Sequence, residues 1–457
     1  MKVLLIRPMP DRESIGLQSF MICEPLELEY VAAYLEQHGH EVTILDMILE
    51  RDSLPRLLRI HAPDVVGLTG YINHVGVVKH YARMVKEHDE RSWVVVGGVH
   101  AEVEPEIFED EHVDFILHVN ALDSMRALLD QLGHGRQHVR ESVPGVWNGP
   151  GKPYAIDTSF AYPFPDRSKT LRYRKHYNYI FHDKCATLKT SFGCTFDCDF
   201  CFCTRITRGK YFERDISEVV DEIETIAEQN IFIVDDNFLF NRRRVEAFCQ
   251  LLEERKIDKK FILFGRADFI AHHEELIERL RKVGLHAVFV GIESMRQKDL
   301  EALNKRTRVD VNERAIRILE RNSIECYSGI VLGPDWTEED FEDLTRWLNG
   351  FEHPIVNIQP VTPMPRTPLY DRMRGIVRVP REEHARYDMA HLLWQPEHLS
   401  VRRYYWLILR TYYRTMASLR GQFYILRRYG PTSYLRVFRG MVHITGQYLT
   451  LCARGRL

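Results

Sequence analysis

The segment Ser191-Phe-Gly-Cys194-Thr-Phe-Asp-Cys198-Asp-Phe-Cys201 organises the interpretation of the whole chain. It follows a predicted strand, and its cysteines have the spacing C-x-x-x-C-x-x-C. Cysteine thiolates are the usual ligands of iron–sulfur clusters, so Cys194, Cys198 and Cys201 can bind three irons of a [4Fe–4S] cubane. The fourth iron then has no cysteine and can accept another ligand.

Two simpler interpretations compete with a cluster. A structural zinc site needs four nitrogen or sulfur ligands, and Cys203 is the candidate for the fourth. Cysteines that are merely buried explain the pattern less well, because four of the nine lie within ten residues. We interpret Cys203 as a small core residue or a neighbour of the cluster. One tight cluster in a long chain indicates a reduced compartment, so we expect the protein in the cytoplasm.

The cysteine segment, with the aromatic Phe200 before the third cysteine, resembles the signature of the radical S-adenosylmethionine (SAM) superfamily. Later segments resemble the family's SAM-contacting motifs in the same order, from about residue 187 to 370. The resemblance implies a methionine ammonium near Asp235 and Asp236, a carboxylate on Arg266, and ribose contacts from Glu293 and Ser294. A helix N-cap is the alternative for either aspartate, and a surface ion pair is the alternative for Arg266.

The same resemblance implies two cofactors, a [4Fe–4S] cluster and SAM. In the family, the open iron chelates SAM, and an electron from the reduced cluster cleaves it to methionine and a 5′-deoxyadenosyl radical. That radical abstracts hydrogen from unactivated C–H bonds. An electron donor such as flavodoxin or ferredoxin is the implied protein partner.

Alternating strand and helix patterns predict an α/β fold in several parts. We expect a Rossmann-like domain over 1–143, a linker over 144–180 and a partial barrel over 181–374. The front sheet is predicted to end at Val113–Leu117, and the six later strands are too few for a closed eight-stranded barrel. Residues 375–457 are predicted to form a helical cap, suggested by His391–Pro396 and Arg402–Met416.

The front domain is similar to the cobalamin-binding branch of the superfamily. Ligands of parallel sheets bind beyond the carboxyl ends of the strands, and this favours Thr69, Gly97 and Gly98 as cobalamin contacts. The loop Asp11–Gly16 has Glu13 where corrinoid loops carry histidine, and Leu117–Ser124 lacks the G-E-G-E run of many relatives. A Rossmann-like scaffold without a corrinoid is therefore the alternative. We interpret His100 and His118 as structural histidines.

The last 57 residues have an unusual charge pattern. Val401–Leu457 contains eleven arginines and eleven aromatic residues, but no lysine, aspartate or glutamate. Such a segment suits an anionic membrane surface. Pairing with the acidic remainder of the chain is the second interpretation, and nucleic acid is the third and less favoured one.

We expect a cobalamin-dependent radical SAM methyltransferase that acts on an unactivated carbon of a small hydrophobic substrate, lipid or tetrapyrrole-like. This branch resembles the anaerobic magnesium-protoporphyrin ester cyclases and the hopanoid-modifying enzymes. An oxidative cyclase or hydroxylating enzyme is the rival, and a cobalamin or iron–sulfur sensor is the non-enzymatic alternative. No apolar run is long enough to span a bilayer, so any membrane contact is expected to be peripheral, at the inner face.

Overall fold

The computed structural model describes residues 1–133, 143–149, 156, 161–352, 355–416 and 419–457. Contacts within the chain divide it into two units. The first unit comprises residues 1–14, 24–176 and 381–388, and the second comprises residues 15–23, 177–380 and 389–457. Each predicted sheet lies within one unit.

The first unit contains a five-stranded parallel sheet. Its strands and the surrounding helices contribute apolar side chains to two buried clusters. In sheet order β2-β1-β3-β4-β5, the strands are Glu41–Asp46, Lys2–Arg7, Val65–Thr69, Trp93–Gly97 and Phe115–Ile116. The helices α1–α5 are Leu26–Gln37, Leu54–His61, Val75–His88, Val99–Val103 and Ala121–Gly133. Apolar runs such as Val-Val-Gly-Leu form these strands because both faces of a parallel sheet are covered.

The predicted Rossmann-like order of elements is confirmed, with one difference at the sheet edge. The last strand is only Phe115–Ile116, shorter than the predicted Val113–Leu117. Thr69 pairs with Gly97 at the carboxyl ends of the two central strands β3 and β4. The candidate cobalamin contacts therefore lie together, as predicted.

The second unit contains six parallel strands in unbroken sequential order, which confirms the partial barrel. These strands, β6–β11, are Cys185–Leu188, Asn230–Ile233, Lys260–Gly265, Leu285–Glu293, Glu325–Leu332 and Ile355–Pro360. Short antiparallel pairings join Met21–Ile22, Asn178–Tyr179 and His182–Asp183, and separately Ser191–Phe192 and Phe212–Glu213. Because the six strands are parallel, their carboxyl ends all lie at one rim of the partial barrel.

Helices α6–α14 lie between and after these strands. They are Cys203–Ile206, Ile216–Thr225, Arg242–Glu254, Ala267–His272, Glu274–Lys282, Gln297–Ala302, Val309–Arg321, Glu338–Leu348 and Pro368–Met373. Side-chain caps fix several starts: Asp215 accepts from the Ser217 amide, and Asn241 accepts from the Arg244 amide. Such caps satisfy backbone donors that the helix itself leaves unpaired.

The C-terminal region is helical, as expected, in α15 (Val401–Thr415) and α16 (Leu419–Arg454). Gly430, at φ +76°, and Pro431 interrupt α16. Its Ile425 and Val437 pack among residues of the amino-terminal halves of the barrel strands. The helical interpretation of His391–Pro396 is wrong. Its backbone is irregular, and Trp394 forms an isolated bridge with Val377. The Trp394 indole is fully buried and donates to Val361 O at 2.7 Å, which holds the segment in this irregular conformation.

Many tail arginines pair with acidic residues of the second unit. Arg403 bonds Glu338 at 2.6 Å, and Arg410 and Arg414 share Glu342 at 2.7 and 2.5 Å. Two further pairs are Arg428 with Glu325 and Arg436 with Asp183. Internal pairing therefore explains these five; the side chain of Arg420 lies outside the described residues. In the part of the chain that the structure describes, no helix has both the length and the apolarity needed to cross a bilayer.

Candidate functional site

The three candidate ligand cysteines lie on a hairpin loop beyond the first barrel strand. Ser191–Phe192 pairs antiparallel with Phe212–Glu213, and the loop between them holds the cysteines. Gly193 begins the loop with φ +80°, and a Cβ there would lie 2.2 Å from Lys210 O. Only glycine fits this close approach, so the hairpin geometry depends on the residue immediately before Cys194.

The thiols differ in environment. Cys198 is buried, and Cys194 and Cys201 are half-buried. Burial raises the pKa of Cys194 and of Cys198, and the charges of Lys305 and Arg266 act in the opposite direction on Cys198. A hydrogen bond with Cys203 lowers the pKa of Cys201 and raises that of Cys203. Thiolates bind metals, so cations beside Cys198 fit a cluster ligand.

The zinc alternative requires several side chains on one ion. Among the described residues, no three or more His, Cys, Asp or Glu side chains are arranged to hold a single metal ion. A cubane differs from such a site because each thiolate binds a different iron. The donor set of three cysteines on one loop fits the cluster, and nothing in the geometry favours zinc.

Asp235 and Asp236 both brace the strand and turn that lead into this loop. Buried Asp235 accepts from the Thr190 amide at 2.6 Å and from the Thr190 and Ser191 hydroxyls at 2.5 and 2.7 Å. The partly exposed side chain of Asp236 accepts from the Gly193 amide at 2.8 Å and lies 3.9 Å from Lys189 Nζ. Asp235 therefore has a positioning role. Asp236 combines such a role with an open carboxylate, and the predicted ammonium contact remains a prediction for both.

Arg266 lies in the site as a buried cation. Its side chain is 8% exposed and pairs with Asp268 at 3.1 Å, so the surface alternative is wrong. The guanidinium lies 3.6 Å from the Phe196 ring centroid, and Nη1 is 3.8 Å from Cys198 Sγ. This geometry links Arg266 directly to a candidate cluster ligand; a contact with the SAM carboxylate stays a prediction.

Glu293 forms a buried ion pair that the sequence did not reveal. Its Oε1 accepts from Lys305 Nζ at 2.6 Å, and both side chains are 9% exposed. Glu293 has φ +62°, a region that non-glycine residues rarely adopt outside constrained sites. Lys305 Nζ also lies 5.7 Å from the Phe200 ring centroid. Lys305 thus connects the predicted ribose residue with the cysteine loop.

Two buried polar residues lie in or beside the predicted motifs. Ser294 is fully buried and donates to Asp299 Oδ2 at 2.7 Å, which gives it a structural partner; its predicted cofactor contact stays a prediction. Asn237 is 3% exposed, and its amide oxygen and nitrogen have no hydrogen-bond partner among the described residues. Buried polar groups usually have partners, so Asn237 is a ligand candidate that sequence reasoning missed.

The carboxyl edge of the first-unit sheet is built on close backbone packing. Gly98 has φ +97°, and a Cβ there would lie 2.3 Å from Thr69 Oγ1. Thr69, Gly97 and Gly98 remain partly accessible, so main chain is presented at this edge. Small residues of this kind fit a ligand that must approach the backbone closely.

The two histidines near this edge have structural environments. Burial lowers the pKa of His100 to about 4, and its Nε2 lies 3.5 Å from Glu104, which pairs with Arg381. His118 packs edge-on against Trp147 at a 5.5 Å centroid distance. Both observations agree with the structural interpretation.

Comparisons with known proteins match both halves of the chain. A model of the radical SAM superfamily matches residues 188–348, and a model of the B12 binding domain matches residues 14–129. The second match supports a cobalamin domain despite the missing G-E-G-E run.

Individual relatives cover most of the sequence. Hopanoid C-3 methylase of Methylococcus capsulatus is 28% identical over 374 residues, covering 80% of this chain and 71% of the relative. Anaerobic magnesium-protoporphyrin IX monomethyl ester cyclase of Rubrivivax gelatinosus is 25% identical over 397 residues, covering 83% and 71%. The structure of OxsB, a cobalamin-dependent SAM radical enzyme, aligns with a TM-score of 0.70 at 16% identity, covering 98% and 72%. That likeness shows a shared fold.

Proposed function

Because the chain belongs to the radical SAM superfamily and carries a B12-binding domain before the radical SAM domain, we propose that it methylates an unactivated carbon of a hydrophobic substrate. The observation that carries the proposal is that the chain matches both domain families and also holds three cysteines on one loop, whose geometry requires Gly193. The substrate class rests on relatives whose names include hopanoid and porphyrin substrates.

When bound, the cluster and SAM would supply a carbon radical and cobalamin would supply a methyl group. Cys194, Cys198 and Cys201 would hold the cluster. Burial raises the pKa of the Cys198 thiol, and the positive charges of Lys305 and Arg266 oppose that rise and would stabilise the thiolate that a cluster iron binds. Asp235 fixes the strand end through three hydrogen bonds, so that the loop is ordered before a ligand arrives.

The SAM-facing residues would bind and orient rather than transfer protons. Asp236 offers a partly exposed carboxylate, already near the Lys189 ammonium, that suits an ammonium ligand. Glu293 is held by Lys305 with its second oxygen available for a hydroxyl donor. Thr69, Gly97 and Gly98 would line the corrinoid's path at the first-unit sheet edge.

The deciding experiment is anaerobic reconstitution with iron, sulfide, SAM, cobalamin and a chemical reductant. With a hopanoid or magnesium-protoporphyrin IX monomethyl ester as probe, methyl transfer should release both 5′-deoxyadenosine and S-adenosylhomocysteine. The expected organic product contains one CH₂ more than the probe, because CH₃ replaces H.

The oxidative cyclase is the second candidate, favoured by the similarity to the Rubrivivax enzyme. It predicts 5′-deoxyadenosine without S-adenosylhomocysteine, and a product with fewer hydrogens or an added oxygen. Release of neither compound, with cluster and cobalamin both bound, would support the sensor interpretation instead. Flavodoxin or ferredoxin is the proposed physiological donor, and replacing the chemical reductant by either should sustain turnover.

A further inference from the structure

Helix α16 is apolar on two opposite faces. One face, with Val437, Gly440 and Tyr448, is buried in the second unit. The opposite face carries an exposed row, which we call the outer row: Leu435, Phe438, Val442 and Leu449, at 51%, 47%, 58% and 46% exposure. Their spacings of three, four and seven residues place them on one helical stripe.

The outer row is more than scattered surface hydrophobicity. It extends for about 20 Å at 1.5 Å per residue. Single exposed apolar side chains are ordinary, whereas an aligned row of large ones indicates an interaction surface. The buried face explains how α16 is held to the barrel, and it leaves the outer row without a structural purpose.

Four exposed arginines lie in the same tail as the outer row. Arg439 directly follows Phe438, Arg427 precedes the break at Gly430, and Arg454 and Arg456 lie at the end of the helix and beyond it. None of the four forms a side-chain hydrogen bond or ion pair with another described residue. They contrast with the five tail arginines that pair with Glu325, Glu338, Glu342 and Asp183. No acidic residue occurs anywhere in 401–457 to neutralise them.

We propose that the outer row and these arginines dock on the surface of an anionic lipid bilayer. An apolar stripe with basic neighbours is the composition that buries itself at the boundary between headgroups and acyl chains. Two rival occupants fit less well. A second copy would bring like-charged arginines together across a two-fold contact, and nucleic acid would leave the aliphatic side chains of the row without a partner.

Docking here would leave the cysteine loop of the same unit free. The buried face of α16 packs at the amino-terminal ends of the barrel strands, whereas the cysteine loop follows the carboxyl end of the first strand. The proposal goes beyond methyl transfer and can be tested without SAM or turnover.

The test is flotation of the full-length, cluster-loaded protein with vesicles. Phosphatidylcholine vesicles with and without phosphatidylglycerol are the probes. Wild type should float with the anionic vesicles and much less with the neutral ones. R439Q/R454Q should weaken binding about 25-fold, since each basic residue near such a surface contributes about fivefold. F438S/V442S/L449S should weaken it by at least about tenfold through lost apolar burial.

Matched variants separate this face from general surface effects. R59Q/R243Q removes two exposed arginines elsewhere, and I60S/L171S removes exposed apolar side chains of 60% and 69% exposure. Both controls should bind vesicles as wild type does, and all variants should keep wild-type iron content and thermal stability.

Three outcomes would overturn the proposal. The first is equal flotation with neutral and anionic vesicles, or flotation unchanged by the α16 variants. The second is a wild-type dimer that the serine variant converts to a monomer, because the row would then be covered by a second copy. The third is binding of single-stranded RNA, lost in R439Q/R454Q, without vesicle binding.

Discussion

The cysteine-loop edge of the second unit and the sheet edge of the first unit prepare for their cofactors by different means. Around Cys198 the protein concentrates charge, because Arg266 is paired with half-buried Asp268 and Lys305 is paired with buried Glu293. At Thr69 and Gly98 it places main chain in tight contact, and burial lowers the pKa of nearby His100 to about 4. We therefore expect charge to dominate cofactor binding beside the cysteine loop, and backbone shape to dominate it at the first-unit sheet edge.

The largest expected effect is a separation of the two cofactors. Cys198→Ala should abolish the cluster and all 5′-deoxyadenosine formation, because one iron loses its ligand, while cobalamin binding persists. Iron analysis, electron paramagnetic resonance and cobalamin absorbance after gel filtration measure this. Cys203→Ala is the matched control and should retain iron. Full iron in the Cys198 variant would remove the basis of the proposed function.

The reverse separation comes from the first-unit edge. Gly98→Val should abolish hydroxocobalamin binding with iron content unchanged, because its side chain would collide with Thr69 Oγ1 at an unfavourable φ. Gly39→Ala is the control, since Gly39 has φ +81° but no atom within 4 Å of a Cβ. Unaltered cobalamin absorbance in the Gly98 variant would show that backbone shape does not govern this edge.

A smaller effect tests the charge network itself. Lys305→Met leaves Glu293 buried without its cation, and we expect a loss of about 3–5 kcal/mol in the free energy of unfolding. Urea unfolding measures it. Lys298→Met is the matched control, because the side chain of Lys298 is 65% exposed and its pair with Asp335 is worth at most about 1 kcal/mol. Equal losses in the two variants would contradict the importance of burial.

The smallest effect concerns protonation at the first-unit edge. Burial lowers the pKa of His100 to about 4, below the ordinary value of 6.5. As pH falls, His100 therefore takes up a proton in the unfolded chain at a higher pH than in the folded protein. The free energy of unfolding consequently decreases on acidification from pH 7 towards pH 4. Between pH 7 and 5 this loss is about 2 kcal/mol.

His100→Asn should remove that part of the pH dependence, measured as urea midpoints at the two pH values. His88→Asn alters an exposed histidine and should leave the dependence as in wild type. An unchanged pH dependence in the His100 variant would assign it to other groups.

Sequence patterns predicted most of the fold because its parallel strands are short apolar runs between amphipathic helices. The barrel has six strands, as predicted, and the cysteine loop follows the first. The failure at His391–Pro396 has a physical cause: an apolar run around Trp394 can fill a core without being helical. The local pattern of apolar residues does not distinguish a buried helix from a buried irregular segment.

The site was predictable where a motif is contiguous and less so where it depends on tertiary pairing. Lys305 lies twelve residues beyond Glu293, and no local signal links the two. The same limit applies to the tail, where only the structure shows which arginines find glutamates. Asn237 directly follows the two predicted aspartates, yet its unsatisfied amide becomes evident only once burial is known.

The late position of two core segments affects how the protein is made. Residues 381–388 belong to the first unit, and Ile425 and Val437 complete the apolar cluster of the second. During translation, therefore, the first unit cannot finish folding before residues 381–388 have left the ribosome, and the second cannot before Val437 has done so. We expect the nascent chain to expose unfinished apolar surface until those residues emerge, and to depend on chaperones accordingly.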